Sequence, residues 1–163
     1  MLVNTIKPFN EGSMKTLSVA RCFAGSRYYI TPCDLANAVN LVDERIGKVL
    51  KDHHFVHGKY PAGVYTDAHN SNSVSAAYKD ALCDLTSDSE EVMRLAELYS
   101  SLNNGGEPHI SPLHILLATL DWDAANYRSI FQTNPPNPQI YFELKRAVLN
   151  KFINRLEAER PAA

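Results

Sequence analysis

The sequence predicts an all-α domain of eight helices, built as two pseudo-symmetric four-helix repeats. Three observations carry this. Apolar residues recur at helical spacing along most of the chain. A cap–proline–apolar signature occurs twice: Ile110-Ser111-Pro112 opens the run Leu113 to Leu120, and Ile30-Thr31-Pro32, eighty residues earlier, opens Cys33 to Val39. At that offset Leu35 also matches Ile115 and Ala38 matches Ala118. No segment alternates as a strand should; Tyr28-Tyr29-Ile30 is β-prone but short. Repeat one is expected at about 9–85 and repeat two at about 86–159, within one domain spanning 1–163.

Residues 1–9 read as a lead-in broken by Pro8. Asn10 is a helix cap, and Met14, Leu17, Ala20, Phe23 and Ala24 form one stripe of the helix that follows. Gly25 ends it, since glycine tolerates the left-handed conformation. Thr31 and Pro32 start a second helix to about Val42. Asp43 caps a third, with Ile46, Val49 and Leu50 on its inner face. His53 to Ser73 reads as a long connector, and Ser73 to Leu85 as a fourth helix.

The second repeat opens on Ser87-Asp88-Ser89-Glu90, which fits a capping box. Val92, Leu95, Ala96, Tyr99 and Leu102 then follow at i, i+3, i+4, i+7 and i+10. Ser111 and Pro112 begin a helix to Leu120 that is apolar around most of its circumference, as a central helix should be. Asp121 or Asp123 is expected to cap another helix, carrying Ala125, Tyr127, Ile130 and Phe131; Trp122, the only tryptophan, reads as a core anchor first and a docking residue second. Pro135, Pro136 and Pro138 precede a last helix from about Gln139 to Glu159. Its two apolar faces are Ile140, Leu144, Val148, Phe152 and Leu149, Ile153, Leu156.

Composition bounds the function. An apolar fraction of 45% is ordinary for a globular chain, and a net charge of −2 leaves no basic footprint for nucleic acid. No apolar run is long enough to span a membrane. The N-terminal residues lack the features of a secretory signal, so the expectation is a cytoplasmic protein. Cys22, Cys33 and Cys83 lie in apolar patterns and read as buried, reduced thiols. No Gly-x-x-x-x-Gly-Lys-Ser/Thr loop is present, which excludes P-loop ATP hydrolysis by these residues.

The stretch Gly106-Glu107-Pro108-His109-Ile110-Ser111-Pro112-Leu113-His114-Ile115-Leu116-Leu117-Ala118-Thr119-Leu120 resembles the second-repeat motif in the N-terminal domain of the Clp AAA+ unfoldases. That motif is a Gly-His-x-Tyr-Ile type loop followed by Thr/Ser-x-Glu-His-Leu-Leu-Leu-Ala-Leu-Leu, and His114 takes the family's histidine position. The first copy departs from it: Cys33-Asp34-Leu35 replaces Glu-His-Leu, and its loop has one extra residue. The likeness covers about 9–156. Phe9-Asn10, Ala20-Arg21-Cys22, Ser26-Arg27-Tyr28-Tyr29 and Tyr99-Ser100-Ser101-Leu102 look like the type VI secretion (ClpV) branch. The resemblance implies a non-enzymatic, cofactor-free module that binds a protein or peptide: a substrate, an adaptor or a sheath-subunit helix. The motor would lie elsewhere.

The first helix is the candidate partner site, through Phe9, Met14, Leu17 and Phe23. An amphipathic helix would lie there on anchors at i, i+3/i+4 and i+7. The same stripe has a second reading as plain core. Two alternatives come from other classes. His53, His54 and His57, with His69 nearby, could serve a small metal-dependent enzyme, although no His-Glu-x-x-His pattern is present. A stand-alone helical regulator or immunity-type protein would share the repeat only by convergence.

Overall fold

Helix caps set the framework. The computed structural model describes residues 8–27, 29–53, 78–102, 109–126, 130 and 138–158. They are all-α, with no strand among them. Helix α1 (Glu11–Ala24) starts at Asn10, whose side chain accepts the Ser13 N–H at 2.8 Å. It stops at Gly25, whose φ of 60° puts it in the left-handed region. Helix α2 (Pro32–Val42) carries a full capping box: Thr31 accepts the Asp34 N–H, and Asp34 accepts the Thr31 N–H. Asp43 caps α3 (Glu44–Asp52) through the Arg45 and Ile46 N–H groups. A Cβ on Gly47 would lie 2.6 Å from the Asn40 carbonyl oxygen, so this position brings α2 and α3 closer than a side chain permits.

Of the expected fourth helix, 78–83 are described and helical. The connector and the start of that helix lie outside the described residues. Helix α4 (Ser87–Leu102) is capped one residue earlier than predicted. Thr86, not Ser87, accepts the Ser89 N–H at 3.1 Å, and Glu90 instead reaches Arg94. The reason is tertiary: Ser89 Oγ donates to the Ile30 carbonyl at 2.7 Å, which fixes the helix phase.

Helix α5 (Pro112–Asn126) runs unbroken past Asp121 and Asp123, so neither starts a new helix. Their carboxylates serve elsewhere, as shown below. Trp122 between them is 5% exposed, and continuing the helix is what buries it. The side chains of Tyr127 and Phe131 lie outside the described residues. Helix α6 (Pro138–Ala158) matches the expected last helix to within one residue at each end. Tyr141, Leu144 and Val148 are its buried face; side chains at 140 and 151–158 lie outside the described set.

Helices α2 and α5 pack against each other at the centre. Leu35, Ala36, Ala38 and Val39 meet the level of Ile115, Leu116, Leu117 and Ala118, all buried. Helix α1 covers α2, α4 covers α5, and α6 closes against α3 and α5.

Two isolated parallel bridges tie the ends of these helices together. Phe9 pairs with Ile110 through Asn10 N–H to the Ile110 carbonyl (3.1 Å) and Ile110 N–H to the Pro8 carbonyl (3.0 Å). Ile30 pairs with Leu85 through Thr86 N–H to the Ile30 carbonyl (3.1 Å) and Ile30 N–H to the Asp84 carbonyl (2.7 Å). Ser13 Oγ adds a bond to the Ile110 carbonyl at 2.5 Å, as Ser89 Oγ does to Ile30. Both serines are fully buried. Ser13→Ala and Ser89→Ala should therefore cost similar amounts, about 1–2 kcal/mol each. Urea unfolding of the two variants checks this; a large cost at one and none at the other would deny the equivalence.

Candidate functional site

The four residues of the expected α1 site divide between two environments. Leu17 is fully buried and Phe9 is 7% exposed, with its ring edge-on to Tyr78 at a centroid distance of 6.3 Å. Both belong to the core and present nothing to a partner in this conformation. Met14 and Phe23 are half-buried and pack on the core margin. The available apolar surface on α1 is therefore Met14 and Phe23, with Cys22 between their faces also half-buried.

Charged side chains brace that margin. Arg21 Nε pairs with Asp84 at 2.9 Å, and its Nη1 donates to the Gly25 and Arg27 carbonyls at 3.2 and 3.3 Å. An open pocket of about 410 Å³ lies beside this pair, lined by Arg21, Asp80, Cys83 and Asp84. Arg27 Nη2 pairs with the buried Asp34 at 2.8 Å, and the guanidinium lies over the Tyr29 ring at 5.5 Å. Sequence spacing did not single out Arg21 or Asp84, because the pair joins residues far apart in the chain.

Cys33 and Cys83 are exposed and Cys22 is half-buried, so the expectation of three buried thiols is corrected. Cys33 stands in the first turn of α2. Crowding by surrounding protein and the neighbouring Asp34 carboxylate push its pKa up, which keeps it a thiol.

A second polar cluster joins three helices. The Tyr99 hydroxyl of α4 donates to Asp121 Oδ2 of α5. Lys145 of α6 reaches the same carboxylate at 2.9 and 3.2 Å and lies 5.0 Å from the Tyr99 ring centre. Burial and the bond to Asp121 raise the Tyr99 pKa. Burial alone would lower Lys145; the Tyr99 hydroxyl and Asp121 carboxylate outweigh it and raise the amine further. The cluster is a tie between helices, with an acid and a base both held away from neutral pH.

Near it, Asp123 is fully buried and accepts the Ile130 N–H at 3.1 Å. Burial, then the Asp123 carboxylate, push Tyr141 up to about 12. The Tyr141 hydroxyl is turned toward that carboxylate, while Trp122 Nε1 has no hydrogen-bond partner among the described residues.

His53 ends α3, with Nδ1 3.0 Å from the Val49 carbonyl oxygen. His54, His57 and His69 lie outside the described residues. Among the described residues no three His, Cys, Asp or Glu side chains group as a metal site would require. His114 is 2% exposed, and its Nδ1 accepts the Ser111 N–H at 2.9 Å. It thus takes at α5 the place that Asp34 takes at α2. No helix among the described residues is long and apolar enough to cross a membrane. Neither a family model, nor a curated protein, nor a solved structure matches this chain.

Two outcomes follow. Leu17→Asp should unfold the domain rather than merely blunt its surface, because an unpaired carboxylate would replace a fully buried leucine. Loss of the far-UV helical signal checks this. Tyr141 sits above its unfolded pKa, so its contribution to stability is complete below pH 10 and is lost as pH rises toward about 12. Over that window the unfolded tyrosine ionises first, and stability falls by up to about 1.4 kcal/mol per pH unit. Tyr141→Phe should make the alkaline decline in the urea midpoint shallower; an unchanged slope would contradict the assignment.

Proposed function

We propose that this chain is a non-enzymatic protein-binding module of Clp N-terminal type, made of two four-helix repeats. The matched cross-pairing carries the reading. Pro8, Asn10 and Ser13 meet Ile110 as Asp84, Thr86 and Ser89 meet Ile30. Thr31–Asp34 at α2 and Ser111–His114 at α5 use the same backbone-to-side-chain cap. A duplicated unit would give that correspondence, and the sequence motif that resembles the Clp family runs through these two isoleucines. On this reading the unit is cytoplasmic and takes a peptide or helix for delivery to a motor on another part or chain. The type VI sheath is the branch favoured by the residues around Arg21 and Tyr99.

Met14 and Phe23 are the anchors that remain for such a partner on α1. Truncating one apolar anchor costs about 1–3 kcal/mol, or about 5- to 150-fold in affinity. Incubation of the immobilised chain with source-cell lysate, read by mass spectrometry, should recover sheath subunits or a Clp ATPase. The double variant Met14→Ser/Phe23→Ser should lose them while keeping its helical signal. Equal recovery by the variant would remove α1 as the site, and recovery of neither class would remove the Clp assignment.

A further inference from the structure

A second surface, on different helices, has the character of a docking site. The solvent-facing apex of α4 carries Leu98 and Leu102, 59% and 74% exposed, with Leu95 half-buried beside them. On α6, Phe142 is 64% exposed. A surface helix ordinarily turns polar residues outward at such positions. Single exposed apolar residues are common, but these are joined. Tyr99 neighbours Leu95 and Leu102 by helical spacing, and Lys145 neighbours Phe142. Tyr99 and Lys145 are in contact, and both are bonded to Asp121. The ridge therefore runs from α4 to α6 over a fixed base. Its α4 portion, Leu95 to Leu102, is about 10 Å long, room for two turns of a partner helix.

The charges around the ridge select the partner. Asp88 and Glu91 continue the exposed side of α4 toward its start, and Glu143 adjoins Phe142. All three carboxylates are exposed, and none makes an ion pair among the described residues. Lys145 is already neutralised by Asp121, and Arg94 by Glu90. Among the described side chains of α4 and α6, Arg146 is the exposed cation left beside the three acids. We infer that this ridge docks an amphipathic helix of another protein whose apolar face is flanked by Lys or Arg. It does not rest on the α1 reading.

The test uses the full chain and a fluorescent Leu/Lys amphipathic helix as long as α4, with a Leu/Glu peptide of the same apolar pattern as counterpart. Anisotropy should show saturable binding of the Leu/Lys probe and weaker binding of the Leu/Glu one. Leu98→Ser/Leu102→Ser should reduce the first by about tenfold or more, as expected for two central anchors. Glu91→Lys/Glu143→Lys should invert the preference between probes. Those two side chains are solvated, so this variant keeps the test decisive if the leucine variant fails to fold. Three results would overturn the inference: no preference between the probes, undiminished binding by both variants, or wild-type self-association that the leucine changes abolish. The last would make a second copy of this chain the occupant.

Discussion

Two backbone carbonyls, those of Ile30 and Ile110, hold the rest of the molecule in register. Each accepts one backbone N–H and one serine hydroxyl from a helix start elsewhere in the chain. Each also belongs to the residue just before the cap of a central helix. Fixing the carbonyl therefore fixes where α2 or α5 enters the core and where α1 or α4 lies across it. The isoleucine side chains are fully buried, so water cannot replace these partners. A buried carbonyl left without a donor costs about 1–3 kcal/mol. That cost, incurred twice in one domain, is large against the total stability of an ordinary fold. Serine inside a helix is a modest helix former, yet at Ser13 and Ser89 the tertiary bond outweighs the few tenths lost in propensity.

The same constraint explains what the sequence made legible and what it hid. Caps are local, so Asn10, Gly25, Thr31 and Asp43 could be read from neighbouring residues, and the structure has them in those roles. Thr86 could not be separated from Ser87, because each precedes a helix with a polar residue three positions on. The Ile30 carbonyl decides between them, and it lies fifty-nine residues from Ser89. Asp121 and Asp123 looked like cap residues for a similar reason. Their partners, Tyr99, Lys145 and the Ile130 N–H, come from outside the local window.

Periodicity has a related blind spot at the candidate site. It groups Phe9, Met14, Leu17 and Phe23 as apolar, but it does not say whether one packed layer lies over them or none. Burial separates Leu17 and Phe9 from Met14 and Phe23. The ridge on α4 was hidden more thoroughly. Leu95 and Leu102 fall in a strong helical stripe, yet Val92, Met93 and Ala96, not the leucines, are the apolar residues that helix buries. A stripe wider than the core it serves leaves apolar surface over, and only the packing shows which edge is left.

The direction of the titrations bears on what such a surface is for. Cys33, Tyr99 and Tyr141 are all pushed toward their neutral forms, and Lys145 toward its charged one. Each shift moves the group's pKa further from neutral pH, whereas general acid–base chemistry is most effective with a pKa near the working pH. The physical causes are burial and mutual satisfaction. Asp121 absorbs both the Tyr99 proton donor and the Lys145 charge, and Asp34 is held between Arg27 and its own helix cap. Polar groups used this way stiffen the junctions between helices. A stiff junction holds apolar side chains in place at a surface before any partner arrives, which lowers the ordering cost of binding. The tie that makes Tyr99 and Lys145 poor reactants is thus the one that makes the ridge between them a preformed one.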